Sequence, residues 1–275
     1  MPVVNHNGRK INFFSRGKGE PIVFLHGFCE DLSVWEDFTS VFKKNKIVGI
    51  DLPGFGQSDT LENPSVDTFA DSVKAVLDFL EIKKCTLIGH SMGGYVSLTF
   101  AKKYESRLNG LGIFHSHPFA DSEEKKAGRL KGIEFIKKNG HYHYIKQLFP
   151  NLFPPSFVSS NNFLINQLIH QASSFQAKGI IGGLELMMNR PDQTDVLKNI
   201  NCPVLFIVGK KDDVVPQQGS IEQTAMPAIS HIHLLENVGH MGMFEAKEEV
   251  QKIIKNFVDF CLQFQKNEIT KTIDI

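Results

Sequence analysis

The chain has 275 residues, 41% apolar and 22% charged, with 30 Lys plus Arg offsetting 30 Asp plus Glu. That length suits one α/β unit carrying an insertion, and a formal charge of zero leaves no field to gather nucleic acid, so the expected partner is a small-molecule substrate rather than nucleic acid or a membrane. The four dispersed cysteines form no CxxC pair, the opening MPVVNHNGRK carries no apolar leader, and no run approaches the roughly 18 apolar residues of a membrane span, so reduced thiols and a cytoplasmic location are expected.

Short apolar runs at residues 11–14, 21–26 and 47–51 open the chain. Near-continuous apolar character predicts strands buried on both faces of a parallel sheet. Residues 65–81 follow, with Phe69, Val73, Val76, Leu77 and Leu80 on one helical face, the stripe by which a helix packs on a sheet. Runs at 85–90 and 111–115 enclose a helical stretch at 95–104. The alternation then stops, and nothing from 116 to 199 reads as a strand. Asp121 with Glu124 has capping-box spacing and predicts a helix reaching Asn139. Leu164, Leu168, Ala172 and Phe175 give a second stripe, with Pro154-Pro155 and Gly182-Gly183 as punctuation. Strands resume at 203–209 and 232–235. A helix over 245–264 carries Val250, Ile253, Ile254, Phe257, Cys261 and Phe264, and 266–275 reads as a polar tail. Strand–helix alternation predicts an α/β fold, a doubly wound and mostly parallel sheet. Residues 1–115 and 200–275 are assigned to its core domain, with 116–199 as a helical cap inserted into it.

Gly89-His90-Ser91-Met92-Gly93 lies between a strand and a helix. A serine on so sharp a turn needs small neighbours two residues away on either side, and it stands near helix N–H groups that favour negative charge. Ser91 is therefore the candidate nucleophile. A tetrahedral intermediate needs fixed donors for its oxyanion. The backbone N–H of Met92 is one candidate, and the N–H of Phe28, in His26-Gly27-Phe28 after an earlier strand, is the other. Asp212 and Asp213 follow the strand at 203–209, and His240 follows the one at 232–235. A carboxylate there can orient a histidine that acts as general base. The residues alone leave Asp212 and Asp213 as alternatives. Cys29 has no elbow of its own and reads as a bystander. The pairs His115/His117, His141/His143 and His231/His233 would put both rings on one face of a strand, but they lack a carboxylate or cysteine in ligand spacing. They read as surface or cap residues, and neither a metal nor a cofactor is expected.

These segments, with Asp51-Leu52-Pro53-Gly54-Phe55-Gly56-Gln57-Ser58 and with Gly209-Lys210-Lys211-Asp212 before Pro216, resemble the α/β-hydrolase superfamily over nearly the whole chain. The resemblance implies the α/β-hydrolase fold and a triad in the order Ser91, Asp212, His240, since family members place the acid three residues after such a glycine and four before the proline. A serine at the elbow separates the chain from family haloalkane dehalogenases and epoxide hydrolases, which use aspartate there. Carboxylesterases, lactonases, carbon–carbon bond hydrolases, perhydrolases and thioesterases remain. The expected activity is esterase-like, through an acyl-enzyme. The alternatives are a carbon–carbon bond hydrolase, lactonase or perhydrolase on the same triad, or a non-catalytic receptor on the same fold. Phe135, Phe149, Phe153, Phe157, Phe163, Phe175, Leu186, Met187 and Met188 would give the cap an apolar underside, suited to small or medium apolar acyl groups. Arg129 and Arg190 are read as solvated surface charges.

Overall fold

A computed structural model describes residues 2–215 and 217–273, with side chains as far as residue 267. Eight strands form one sheet in the order β1-β2-β4-β3-β5-β6-β7-β8. Strands β1 (Val3–His6) and β2 (Arg9–Arg16) are an antiparallel hairpin at one edge, and β2 also runs antiparallel to β4 (Lys46–Ile50). The others, β3 (Pro21–Leu25), β5 (Cys85–His90), β6 (Leu108–Phe114), β7 (Val204–Gly209) and β8 (Ser230–Leu235), run parallel with β4. Every residue of β5, β6 and β7 is buried, as strands covered on both faces require. Strand β1 was not expected from the sequence. It is an edge strand with alternating exposure, and it lacks the apolar run by which buried strands are recognised.

Helix α1 (Val66–Phe79) opens on a reciprocal cap between Ser65 and Thr68 and buries Phe69, Val73, Val76 and Leu77. Helix α2 (Met92–Tyr104) begins directly after Ser91 and is buried from Met92 to Ala101. Between β6 and β7 the chain is helical, as α3 (Glu123–Asn139), α4 (His141–Leu148), α5 (Pro155–Ser160), α6 (Asn162–Ser173), α7 (Ala177–Asn189) and α8 (Thr194–Asn199). After β7 come α9 (Gln217–Glu222), α10 (Gly242–Glu245) and α11 (Lys247–Ile273). Phe257 and Cys261 of α11 rest on β6 at Gly110. The backbone of α11 continues through most of the segment read as a polar tail, whose last two residues, 274 and 275, lie outside the described residues. No helix among the described residues is long and apolar enough to cross a membrane.

Three local readings need correction. Helix α3 is capped by Ser122, whose hydroxyl accepts the Lys125 N–H at 3.2 Å, and not by Asp121. Asp121 is buried instead and accepts from Arg190 Nη1 at 2.7 Å and from Arg129 Nε. In α6 the buried stripe is Ile165, Ile169 and Ala172, with Leu164 and Leu168 on its margin, because the helix turns the isoleucines toward the core. Arg190 is not solvated. It is 4% exposed, donates to the Met187 carbonyl at 2.6 Å, and lies 4.0 Å over the Tyr95 ring.

The Asp121 ion pairs tie the segment after β6 to α3 and to the end of α7. Removing the carboxylate leaves two guanidiniums together with no counter-charge. Asp121→Ala is expected to cost about 3–5 kcal/mol of unfolding free energy. Urea denaturation measures it, and a loss within the ~0.5 kcal/mol of an ordinary surface substitution would contradict the assignment.

Candidate active site

Strands β3, β5, β6, β7 and β8 are successive parallel neighbours, so their carboxyl ends lie along one rim of the sheet. Ligands of open α/β sheets bind outside that rim. The segments carrying Phe28, Ser91, His115, Asp212 and His240 all leave the sheet there. Two strands separate β5 from β8, a span of about 14 Å at ~4.8 Å per strand. The loop after β8 must therefore fold back for His240 to approach Ser91. Three backbone bonds hold it in that position: Lys210 N–H to Leu235 O at 2.9 Å, Lys211 N–H to Val238 O at 2.9 Å, and His240 N–H to Leu152 O of the helical insertion at 3.0 Å.

Ser91 has φ 50° and ψ −116°, a strained conformation for a residue with a Cβ. Its neighbours fix it. Its N–H donates to Phe114 O at 2.9 Å, and its carbonyl accepts from Ser116 Oγ at 2.8 Å. The flanking glycines are a steric requirement, since a Cβ at Gly89 would lie 2.3 Å from Gly93 O and one at Gly93 would lie 2.6 Å from Leu25 O. The hydroxyl of Ser91 is 2.8 Å from His240 Nε2, and His240 Nδ1 is 2.8 Å from Asp212 Oδ2. A carboxylate only accepts, so Nδ1 carries the proton and Nε2 is free to accept from the serine. Asp212 Oδ1 accepts the N–H groups of Val214 and Val215, each at 2.9 Å. Burial pushes this carboxyl up, but the His240 imidazole, its hydrogen bond, His115 and the Val215 N–H outweigh burial and hold it well below the ordinary carboxylate range. Asp213 points to solvent. Pro216 lies outside the described residues.

The N–H groups of Phe28 and Met92 donate to no backbone acceptor among the described residues. His26 secures the Phe28 loop. Its Nδ1 donates to Gly27 O at 2.7 Å, and its Nε2 accepts the Leu52 N–H at 2.9 Å. Asp51 accepts from Leu32 N, Gln57 N and Asn12 Nδ2, which anchors the loop that Leu52 belongs to. The two glycine-rich segments quoted above are thus scaffold for the rim. Cys29 remains a thiol, because burial and the Glu30 carboxylate push it well above its usual value.

Four residues at this site were not assigned from the sequence. His115, read as a surface or cap residue, is 1% exposed. Its Nδ1 accepts the Gly209 N–H at 3.2 Å and lies 3.5 Å from Asp212 Oδ2. Burial keeps the ring neutral, against the pull of Asp212. His117 is also buried, against Tyr95 and Phe119, and burial with Arg190 and Lys125 pushes it down to about 3. His141 and His143 lie on α4, where a two-residue spacing does not align side chains. Glu245 accepts the N–H groups of Gly239 and Met241 at 2.6 and 2.8 Å, clasping the His240 loop from both sides. Glu30 and His90 form a buried pair beneath it. Only the elbow position of His90 offered a sequence signal. His115 and Glu30 rely on partners distant in the chain, Gly209 and His90, while Glu245 holds its own loop through bonds that no motif marks.

A strained serine in hydrogen-bond series with a histidine and an aspartate stands on the rim of a mostly parallel sheet, in the α/β-hydrolase fold. A family profile described as alpha/beta hydrolase fold matches residues 20–133. Over that stretch the chain resembles the α/β-hydrolase superfamily. It is 28% identical over 261 residues to the AB hydrolase superfamily protein YisY of Bacillus subtilis, covering 88% of this chain and 92% of that one. It is 25% identical over 274 residues to the 2-hydroxy-6-oxononadienedioate/2-hydroxy-6-oxononatrienedioate hydrolase of Escherichia coli, covering 90% and 91%. Among solved structures, a malate-bound thermophilic esterase from Thermogutta terrifontis superposes with a TM-score of 0.88 at 26% identity, covering 94% of this chain and 98% of that one.

Proposed function

We propose that this protein is a serine hydrolase that cleaves carboxylic-ester or related acyl bonds of small to medium apolar substrates. The supporting observation is the unbroken series from Asp212 through His240 to Ser91, 2.8 Å at each link. Ser91 Oγ attacks the substrate carbonyl while His240 Nε2 takes its proton. The N–H groups of Phe28 and Met92 hold the oxyanion. The intermediate collapses as His240 protonates the leaving oxygen, leaving an acyl-serine. Water, activated by the same histidine, then releases the acid. Asp212 stays ionised and stabilises the imidazolium.

The insertion acts as a cap in this reading. Tyr144 of α4 meets the Phe28 ring at 6.4 Å, and Leu152 and Pro154 meet the His240 loop. Contacts on both sides of Ser91, itself 8% exposed, keep bulk water from the reacting atoms. Each buried methylene adds about 0.8 kcal/mol, so chain-length selection is graded. Among p-nitrophenyl esters from acetate to laurate, the highest kcat/KM is expected for short and medium chains. A preference for laurate, or activity confined to anionic esters, would refute this pocket.

A second reading keeps the triad and cleaves a carbon–carbon bond or a lactone. The relative named for an oxo-dienedioate speaks for it. Turnover of a vinylogous β-diketone, with no ester turnover, would favour it. Binding without any turnover would favour a receptor.

A further inference from the structure

Beneath the candidate base lies an ion pair that the proposed chemistry does not use. Glu30 is 4% exposed and His90 is fully buried. His90 Nδ1 lies 3.1 Å from both carboxylate oxygens of Glu30, and Glu30 Oε2 also accepts the Gly27 N–H at 2.8 Å. On the other edge of the ring, His90 Nε2 is 2.8 Å from the backbone carbonyl of His240. A carbonyl and a carboxylate both only accept, so both ring nitrogens carry protons and His90 is an imidazolium. Burial disfavours both charges, yet the partners outweigh it. Glu30 and the His240 carbonyl leave His90 raised, and His90 with the Gly27 N–H leaves Glu30 lowered. The other titratable groups facing His90 are His240, His115 and, farther off, Asp212, while Trp35 and Phe114 close the remaining faces. Gly27 leaves room for the pair: a Cβ there would lie 2.7 Å from Glu30 Oε1 and 2.8 Å from His90 Nδ1.

We propose that Glu30 and His90 are positioning residues for His240. Their ion pair joins the turn carrying the Phe28 N–H, the strand end carrying Ser91 and the backbone of the His240 loop into one unit. Residues 30, 90 and 240 come from three separate rim segments, and this pair is bonded to all of them. The proposal rests on the roles given above to Ser91 and His240. A misplacement of about 1 Å between reacting groups costs on the order of 10²-fold in rate, so a charged tie at this point acts on turnover more than on substrate binding.

The test is Glu30→Gln, which keeps the shape and lets His90 lose its charge. The expected result is a fall in kcat of roughly 10- to 100-fold with KM changed less than about threefold, partly restored in Glu30→Asp. The wild-type advantage should be full where His90 is charged and should close as pH rises through its raised value. The pair's contribution needs the imidazolium, which exists only below that value. Wild-type kcat in Glu30→Gln at every pH would overturn the proposal. So would a kcat loss that is constant with pH, because it would mark a purely structural contact. If Glu30→Gln does not fold, nitrogen-15 spectra of histidine-labelled wild type decide. One buried histidine must show two protonated ring nitrogens at neutral pH, and its absence overturns the proposal. Ser91→Ala assayed in parallel separates the two readings: its retained turnover would remove the serine-hydrolase reading itself, whatever Glu30→Gln shows.

Discussion

Ser91→Ala is expected to lower kcat/KM for a p-nitrophenyl ester by roughly 10³–10⁶-fold, leaving the residual rate that oxyanion donors and binding supply. The loss follows from the absence, among the described residues, of any other competent nucleophile at the rim. Ser116 is buried, and its hydroxyl donates to the Ser91 carbonyl. The neighbouring thiol, Cys29, is held protonated by burial. The fold should persist, because the bonds that fix the strained residue use its N–H and carbonyl and not its hydroxyl. An unchanged circular dichroism spectrum with lost turnover is thus the expected pair of observations. A fluorophosphonate probe should label the wild type at Ser91 only, and labelling mapped to Cys29 would defeat the assignment.

Asp212→Asn is expected to lower kcat by about 10⁴-fold, while Asp213→Asn stays near wild type. The amide presents an N–H where the carboxylate presented an acceptor. It donates to His240 Nδ1 and drives the ring proton to Nε2, which then faces Ser91 as a donor and cannot take its proton. Asp213 makes no such contact and is exposed. Stability carries a second signature. The Asp212 carboxyl is held low in the folded chain. Its ionic contribution is therefore full above the unfolded value, near about 4, and is lost as pH falls through the lowered folded value. The difference in unfolding free energy between wild type and Asp212→Asn should hold steady from neutral pH to about 5 and shrink below about 4. The reverse ranking of the two variants in turnover would move the acid to Asp213. Equal small losses would place it elsewhere.

The elbow was legible because its constraint is local. A positive-φ serine between strand and helix needs Gly89 and Gly93 within two residues, and local requirements leave local patterns. The parallel strands were legible for a similar reason: burial on both faces writes a near-continuous apolar run into five to seven residues. Edge strand β1, half exposed, writes no such run. Composition suggested that His115 and Arg190 face solvent, because most histidines and arginines do. Their burial depends on partners the sequence does not announce, Gly209 for the one and Asp121 for the other.

The sequence alone determined the fold class and the elbow position of Ser91, since periodicity and turn chemistry are properties of neighbouring residues. Only the tertiary structure decided how Ser91, Asp212 and His240 meet. The carboxylate facing His240 is that of Asp212 and not of Asp213, because the bonds from Val214 and Val215 turn the former inward. The Glu30–His90 and His90–His240 contacts bridge separations of 60 and 150 residues. Such pairs form because strand order brings distant segments onto one rim, and because a charge buried there must find its counter-charge wherever the fold has placed it.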